Sequence, residues 1–434
     1  MMREQNPLKG FSKLSRDEKV KWLSEYLSDQ KLSAFLDSFR MPDEENQNKF
    51  ESFSENTLSN YHLPWGLVPN VLIDDKLYHV PVVIEESSVV AAASKAASFW
   101  AQRGGFRTLY ISTLKKGQLH FTFSGDGEAL KKHWETIGQQ IKSGVKHLTQ
   151  NMEQRGGGIT GIHLKQIPGL PYDYYQLDLE AETMDSMGAN FINSILEEAG
   201  RILPELIHNR IGNGQVEIIM AILSNYTPES IVKLQVQAPV SELSWAKEMT
   251  PEKFARRMKW AADIAWHDTG RAVTHNKGIY NGVDAVVLAT GNDFRAVEAA
   301  GHAYAARDGQ YHALSRVNLE NDIFSLELEI PMALGTVGGL TKLHPLAAKT
   351  LQILGEPDAR TLMKIAAAIG LANNFAAMAS LVTTGIQQGH MKMHLHNILN
   401  SLDVNPEYYP KIEEHFSVKT VSVSAVRQFI STLK

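Results

Sequence analysis

Residues 159–179 read ITGIHLKQIPGLPYDYYQLDL. Two apolar-rich runs, Ile159–Ile167 and Tyr172–Leu179, flank the turn residues Pro168-Gly169 and Pro171. Such an arrangement predicts two strands joined by a turn. Ahead of them, Leu119–Phe123 alternates Leu or Phe with polar residues, as a strand does, and Glu128 to about Met152 is helical in pattern. Behind them, Asp185–Ile207 is helical in pattern and Gln215–Leu223 reads as a strand. The order is β-α-β-β-α-β, the ferredoxin-like split pattern. Residues 110–224 are therefore expected to form a small α+β domain inserted in a larger one. Residues 107–113 add one more strand, as a hairpin through Lys116-Gly117.

Working outward, Ser15 and Glu18 form a capping box, and Val20, Leu23 and Leu27 share one face, so residues 15–38 read as helical. Residues 41–55 are polar and read as a linker. Leu77–Ile84 reads as a strand and the small-residue run Val89–Ala97 as a tightly packed helix. Beyond the inserted domain come a helix near 251–266, a turn at Asn281-Gly282, a buried strand at Ala285–Ala289 and a helix at Arg295–Ala306. A strand at Ile323–Ile330 and a long helix at 357–384 follow. Residues 385–434 form a further helical unit, joined through Gly385 and Gly389.

Composition narrows the function. The chain has 434 residues, no cysteine, and a formal net charge of -5. Disulfides, thiolate metal sites and cysteine nucleophiles are excluded. The acidic balance speaks against a nucleic-acid partner, while a local basic patch is enough for a small anion. The start, Met1–Gly10, lacks the apolar core of a secretory signal, so a cytoplasmic location is expected. The best membrane-span candidate, Leu362–Gly385, is interrupted by Lys364, Asn373 and Asn374 and reads as a buried helix, so no membrane partner is expected.

Several residues could carry chemistry. Glu85-Glu86 stands between Val82-Val83-Ile84 and Val89-Val90-Ala91, where a desolvated carboxyl suits a general acid; the bland alternative is a solvated strand end. Lys277, in Thr274–Gly278, can hold an oxyanion or phosphate, or be a surface lysine. Asp293 follows an apolar run and is either a helix N-cap or a reacting carboxylate. His390 and His394 stand one helical turn apart, but no glutamate or thiolate completes a metal site, so no metal is expected and a general-acid histidine fits better. Gly156-Gly157-Gly158 reads as a turn. Asp185–Asn190 opens a helix, where free N–H groups suit a phosphate and Gly188 lets it approach; Asp185 serves equally as an N-cap.

Taken together, these stretches resemble the 3-hydroxy-3-methylglutaryl-coenzyme A reductase family, in its soluble bacterial (class II) branch. The resemblance rests on Glu55-Asn56, Val80–Ser94, Asp185–Asn190, Leu223-Ser224-Asn225, Arg271–Tyr304, Val337-Gly338-Gly339, Thr341-Lys342, His344-Pro345, Gly385-Ile386-Gln387 and Gly389-His390-Met391. It covers nearly the whole chain, most weakly before residue 50 and after 400. It implies an α+β fold: a large, mostly helical substrate-binding and dimerisation domain (1–109 and 225–384), an inserted ferredoxin-like dinucleotide-binding domain (110–224), and a C-terminal helical flap (385–434). It implies a homodimer with the site shared between subunits. The implied reaction takes HMG-CoA and two NAD(P)H to mevalonate and CoA.

By match of position, the resemblance makes Glu86, Lys277, Asp293 and His390 catalytic. It places Ser88, Arg271 and Asn374 around the HMG carboxylate and His394 at CoA, and makes Met187, Gly188, Asn190 and Asn225 dinucleotide contacts beside Asp185. Lys277 would stabilise the oxyanion, with Asp293 near it to keep it charged and placed. His390 would protonate the departing thiolate, and Glu86 the aldehyde-level oxygen. Three departures stand out. Ser87 replaces a proline common in this branch, and Ser12 an arginine expected for the CoA phosphate. The stretch Lys146–Gln150 lacks the acid that NADH-specific members use, which favours NADPH, with NADH as the alternative. Two other classes compete: a catalytically inactive CoA- or nucleotide-binding homologue, and a histidine-based metallohydrolase.

Overall fold

The computed structural model describes residues 8–171, 173–383, 385, 395, 398–416, 419 and 421–433. Three short helices come first: α1 (Arg16–Leu27), α2 (Leu32–Asp37) and α3 (Glu44–Glu51). The capping box of α1 forms as expected, with Ser15 and Glu18 bonding reciprocally. α3 corrects the expected linker. Asp43 caps it by accepting from Asn46 N at 2.8 Å, and this polar helix has no apolar stripe to announce it.

Next, β1 (Trp65–Ile73) and β2 (Lys76–Val83) pair as a hairpin, and α4 (Ser87–Ala101) packs on it. Then β3 (Arg107–Phe123) runs unbroken through Lys116-Gly117, so the expected hairpin there is absent. Gly117 has another purpose. A Cβ on it would meet Ile192 Cγ2 at 2.4 Å, so glycine lets a helix lie directly on the strand. The middle of the chain supplies α5 (Gly127–Gly144), α6 (Lys146–Glu153), β4 (Gly158–Lys165), β5 (Tyr174–Glu182), α7 (Ala189–Ile211) and β6 (Val216–Leu223). The second half of β3 with β4, β5 and β6 gives the antiparallel order β4-β5-β3-β6, and α5 and α7 cover one face. This is the β-α-β-β-α-β order expected from the sequence.

β3 also belongs to the rest of the molecule. Its first half pairs with β7 (Ser230–Pro239). After α8 (Pro251–His267), α9 (Thr269–Ala289) and α10 (Phe294–Ala305), β8 (Ser315–Glu320) and β9 (Ile323–Pro331) extend the same sheet in the order β3-β7-β9-β8. The larger part of the molecule is thus less purely helical than expected. Two cores meet along β3: Ile111 packs into one with α4, α8, α9 and β9, and Leu119 into the other with α5 and α7.

The turn expected at Asn281-Gly282 and the strand expected at Ala285–Ala289 both lie inside α9. From Ile279 to Ala289 the helix has no exposed residue, and a helical stretch buried on nearly all sides shows no clear helical period. Gly282 is a packing residue: a Cβ there would meet Ile369 O at 2.5 Å. Its neighbour is α13 (Ala359–Val382), which follows α11 (Leu340–Leu343) and α12 (Pro345–Ile353). Among the described residues α13 is the one helix long and apolar enough to cross a membrane, and most of it is packed inside the protein. A third, separate core joins Leu399, Ile412, Phe416 and Val426 after residue 394.

Candidate active site

Glu86 is the N-cap residue of α4, but its carboxylate caps no backbone N–H. It accepts instead from the Ser88 hydroxyl. Glu86 is half-buried and Glu85 exposed. Ser87 fills the first helical position, where proline is favoured but not required, so its replacement leaves the helix start intact. Ser88, expected against substrate, here holds the catalytic candidate.

Asp293 is both N-cap and charged group. Its Oδ1 accepts from Arg295 N at 3.0 Å and Ala296 N at 3.3 Å, starting α10. Its two oxygens also receive the Arg295 guanidinium, Nε and Nη2 each at 2.9 Å. That guanidinium holds the carboxyl below its ordinary pKa. A cleft of about 560 Å³ opens beside it, walled by Phe50, Trp65, Val83, Asn292 and His344 among others.

Lys277 does not sit before a turn as expected; it stands on the exposed face of α9 and has no bonded partner among the described residues. Nor does Asp293 approach it. Asn292 N donates to Val287 O, which sets the Asp293 turn level with Val287. Val287 lies roughly 15 Å of helix beyond Lys277. The expected Lys277–Asp293 contact is therefore not made within the chain. Arg271, in the first turn of α9, has a half-buried guanidinium with no hydrogen bond or ion pair among the described residues. Burial lowers its pKa, with Asp268 opposing.

Asn374 lies deep in the core, 1% exposed. Its Oδ1 accepts from Ser315 Oγ at 2.8 Å, and its amide is 3.1 Å from His275 Nε2. His275 Nε2 also meets Ser315 Oγ at 2.6 Å. This buried trio braces α9 against α13 and β8 and does not face solvent, so the expected substrate contact by Asn374 is not open here. Burial drives the His275 pKa down to about 3, keeping the ring neutral. His390 and His394 lie outside the described residues, and among the described residues no cluster of His, Asp or Glu could hold a metal.

The dinucleotide candidates gather at one place. Asp185 does not cap α7, as one expectation had it. Its Oδ1 accepts from Ala359 N at 2.9 Å, at the start of α13. Gly188 is the N-cap of α7, at φ 91, and no side chain caps that end. The first-turn N–H groups there are open to an anion. Asn190 and Asn225 are exposed, and Leu223 N donates to Asn193 Oδ1 at 2.7 Å, drawing the loop of Asn225 toward the same helix start. Lys146, in the stretch read for cofactor choice, is ion-paired to Glu153.

The loop of Gly335 connects this place with the cleft. Gly335 N donates to Asn292 Oδ1 at 2.9 Å, and a Cβ on Gly335 would meet Met187 N at 2.6 Å. Asn292, beside Asp293, was not singled out from the sequence, and neither was Arg295. The Asp-x-Arg spacing at a helix start was the available signal for Arg295.

A family model described as hydroxymethylglutaryl-coenzyme A reductase matches residues 15–395. The 3-hydroxy-3-methylglutaryl-coenzyme A reductase of Archaeoglobus fulgidus is 36% identical over 395 residues, 90% of this chain and 86% of that one. The probable enzyme of that name from Borreliella burgdorferi is 33% identical over 399 residues, 91% of this chain and 89% of that one. A solved structure of the Streptococcus pneumoniae reductase matches with a TM-score of 0.73 at 34% identity, over 99% of this chain and 100% of that one. The class II enzyme of the same organism, bound to NADPH in open conformations, matches with a TM-score of 0.72 at 35% identity, over 87% and 100%. The chain belongs to the hydroxymethylglutaryl-coenzyme A reductase family.

Proposed function

We propose that this protein reduces HMG-CoA to mevalonate and free CoA with two NADPH, as a cytoplasmic homodimer whose sites are shared between subunits. One observation carries the reading. A single loop, at Gly335, touches both the turn that holds Asp293 and the uncapped start of α7. Substrate cleft and dinucleotide loop are thus neighbours in a chain of the reductase family. The open N–H groups at α7 and the glycine at its cap fit a pyrophosphate. The pneumococcal relative bound to NADPH supports that choice of cofactor.

NADPH, when bound, supplies hydride for each of two reductions. With no cysteine available, hydride must attack the CoA thioester directly. Lys277 holds the oxygen that becomes anionic. His390 gives a proton to the departing thiolate, and Glu86, fixed by Ser88, gives one to the aldehyde-level oxygen. Arg271 receives the HMG carboxylate. His394 lies at CoA. Met187, Gly188, Asn190 and Asn225 line the dinucleotide site, which Asp185 ties to α13.

The separation of Lys277 from Asp293 supports a shared site: each active centre takes its lysine from one subunit and its aspartate from the other. Exposed apolar residues favour the same view. Trp260 and Ile264 on α8, and Val273 one turn before Lys277 on α9, are each about half exposed and call for cover. Steady-state kinetics with HMG-CoA and each nicotinamide cofactor test the reading. HMG-CoA-dependent oxidation that prefers NADPH is expected, and a large preference for NADH overturns the cofactor choice.

A further inference from the structure

Lys115 is the one lysine among the described residues that is completely buried, 0% exposed. It sits on β3 opposite Ala181 of β5. Its Nζ donates to Thr183 Oγ1 at 2.7 Å and to Ser186 O at 3.2 Å. Thr183 Oγ1 donates in turn to Ser186 O at 2.7 Å. The ammonium therefore lies directly beneath the loop that leads into α7. A buried charge is expensive to keep where an apolar side chain would fill the space. Its retention here points to something the loop needs.

That loop is otherwise tied from the side. Asp185 O accepts from Thr336 N at 2.8 Å, and Asp185 Oδ1 from Ala359 N. Ser186 Oγ accepts from Gly188 N at 3.1 Å. Met184 holds a positive φ of 49, and Gly188 approaches so close that a Cβ would meet Thr183 Cγ2 at 2.7 Å. From beneath, Lys115 and Thr183 together hold the Ser186 carbonyl, and Lys115 is the charged member of that pair.

We propose that Lys115 is a positioning residue for dinucleotide binding: through Thr183 and the Ser186 carbonyl it sets the 183–190 loop in the shape that receives the pyrophosphate. The inference rests on that loop being the dinucleotide site. The charge also lies under the place where phosphates bind, in surroundings that screen it little. The charged groups facing Lys115 are Glu182 on β5 and Asp185 in the loop, with Arg360 of α13 on the far side of Glu182 at 3.8 Å. Burial outweighs those carboxylates and brings the Lys115 pKa down to about 8. Raising the pH through that value discharges the group that holds the loop.

The experiment measures NADPH dissociation constants by fluorescence titration, and kinetics, for the full-length wild type, Lys115→Met and Thr183→Val. Lys115→Met should weaken NADPH binding by about tenfold or more, the value of one charged hydrogen bond, with kcat and the KM for HMG-CoA within about twofold. Thr183→Val should shift the same constant in the same direction by less. Wild-type NADPH affinity should fall as the pH rises above about 8, and the Met variant should lose that dependence. This last measurement needs only the wild type if the Met variant does not fold. An unchanged NADPH constant in Lys115→Met, or a wild-type affinity flat across this range, overturns the role. A wild type that neither binds NADPH nor oxidises it with HMG-CoA instead overturns the functional reading beneath it.

Discussion

Arg295 clasps Asp293 with two parallel bonds of 2.9 Å, while the same carboxylate starts α10 as its N-cap. A capping carboxylate and a reacting one are usually weighed as alternatives, and here one residue fills both positions. Asparagine caps a helix about as well as aspartate but carries no charge. Asp293→Asn should keep the helix cap, cost at most about 1 kcal/mol of stability for the lost surface ion pair, and lower kcat by roughly 100-fold, the scale of a lost acid–base or charge-placing group. Near-normal turnover would remove Asp293 from the chemistry; a larger loss of stability would make it structural.

Subunit mixing separates a shared site from one built within a chain. Lys277→Ala and Asp293→Asn should each be inactive alone. If each centre takes Lys277 from one subunit and Asp293 from the other, dissociating and reassociating an equal mixture restores about a quarter of wild-type activity. Half the dimers are then mixed, and each mixed dimer has one intact site. No recovery, with exchange of subunits verified, would place both residues in one chain.

His275 predicts an acid weakness. Its ring is neutral in the folded protein, with a pKa near 3, against an ordinary value of 6.5. The unfolded chain binds that proton first, so stability is full above about pH 6.5 and is lost as the pH falls toward about 3, by roughly 1.4 kcal/mol per pH unit. Replacing His275 with Gln should flatten that part of the melting-temperature profile. An equally steep profile in the variant would assign the acid loss to other groups.

Asp284 predicts the opposite slope. Burial, then Glu298 beside it, raises its pKa to about 8 from an ordinary 3.8. The folded state keeps a proton that the unfolded state releases, so this group weakens the fold as the pH rises from about 4 to about 8. Asp284→Asn should melt above the wild type at about pH 8 and level with it at about pH 4. Equal melting at both ends would mean that the carboxyl titrates normally.

The fold is most legible in the sequence where local signals agree. The split β-α-β-β-α-β order was legible because each element carried its own period and its turns were marked by Pro168-Gly169 and Pro171. Gly117 and Gly282 carry the local signature of turns, but each glycine serves a close approach between elements. β1, β7 and β8 were not anticipated at all. At the site, Glu86, Lys277 and Asp293 were named from type and neighbourhood, but their mutual distances belong to tertiary packing. The burial of Asn374 against His275 and Ser315, and of Lys115 beneath Ser186, follows from residues far apart in the chain that no local pattern joins.

The proposed reaction is a four-electron reduction in which CoA leaves as a free thiol. The direct measurement is the ratio of NADPH oxidised to CoA thiol released, followed together in one reaction with HMG-CoA and the purified protein. Complete reduction consumes two NADPH for each CoA released, with mevalonate as the other product. A ratio of one, or CoA release that needs no NADPH, would contradict it.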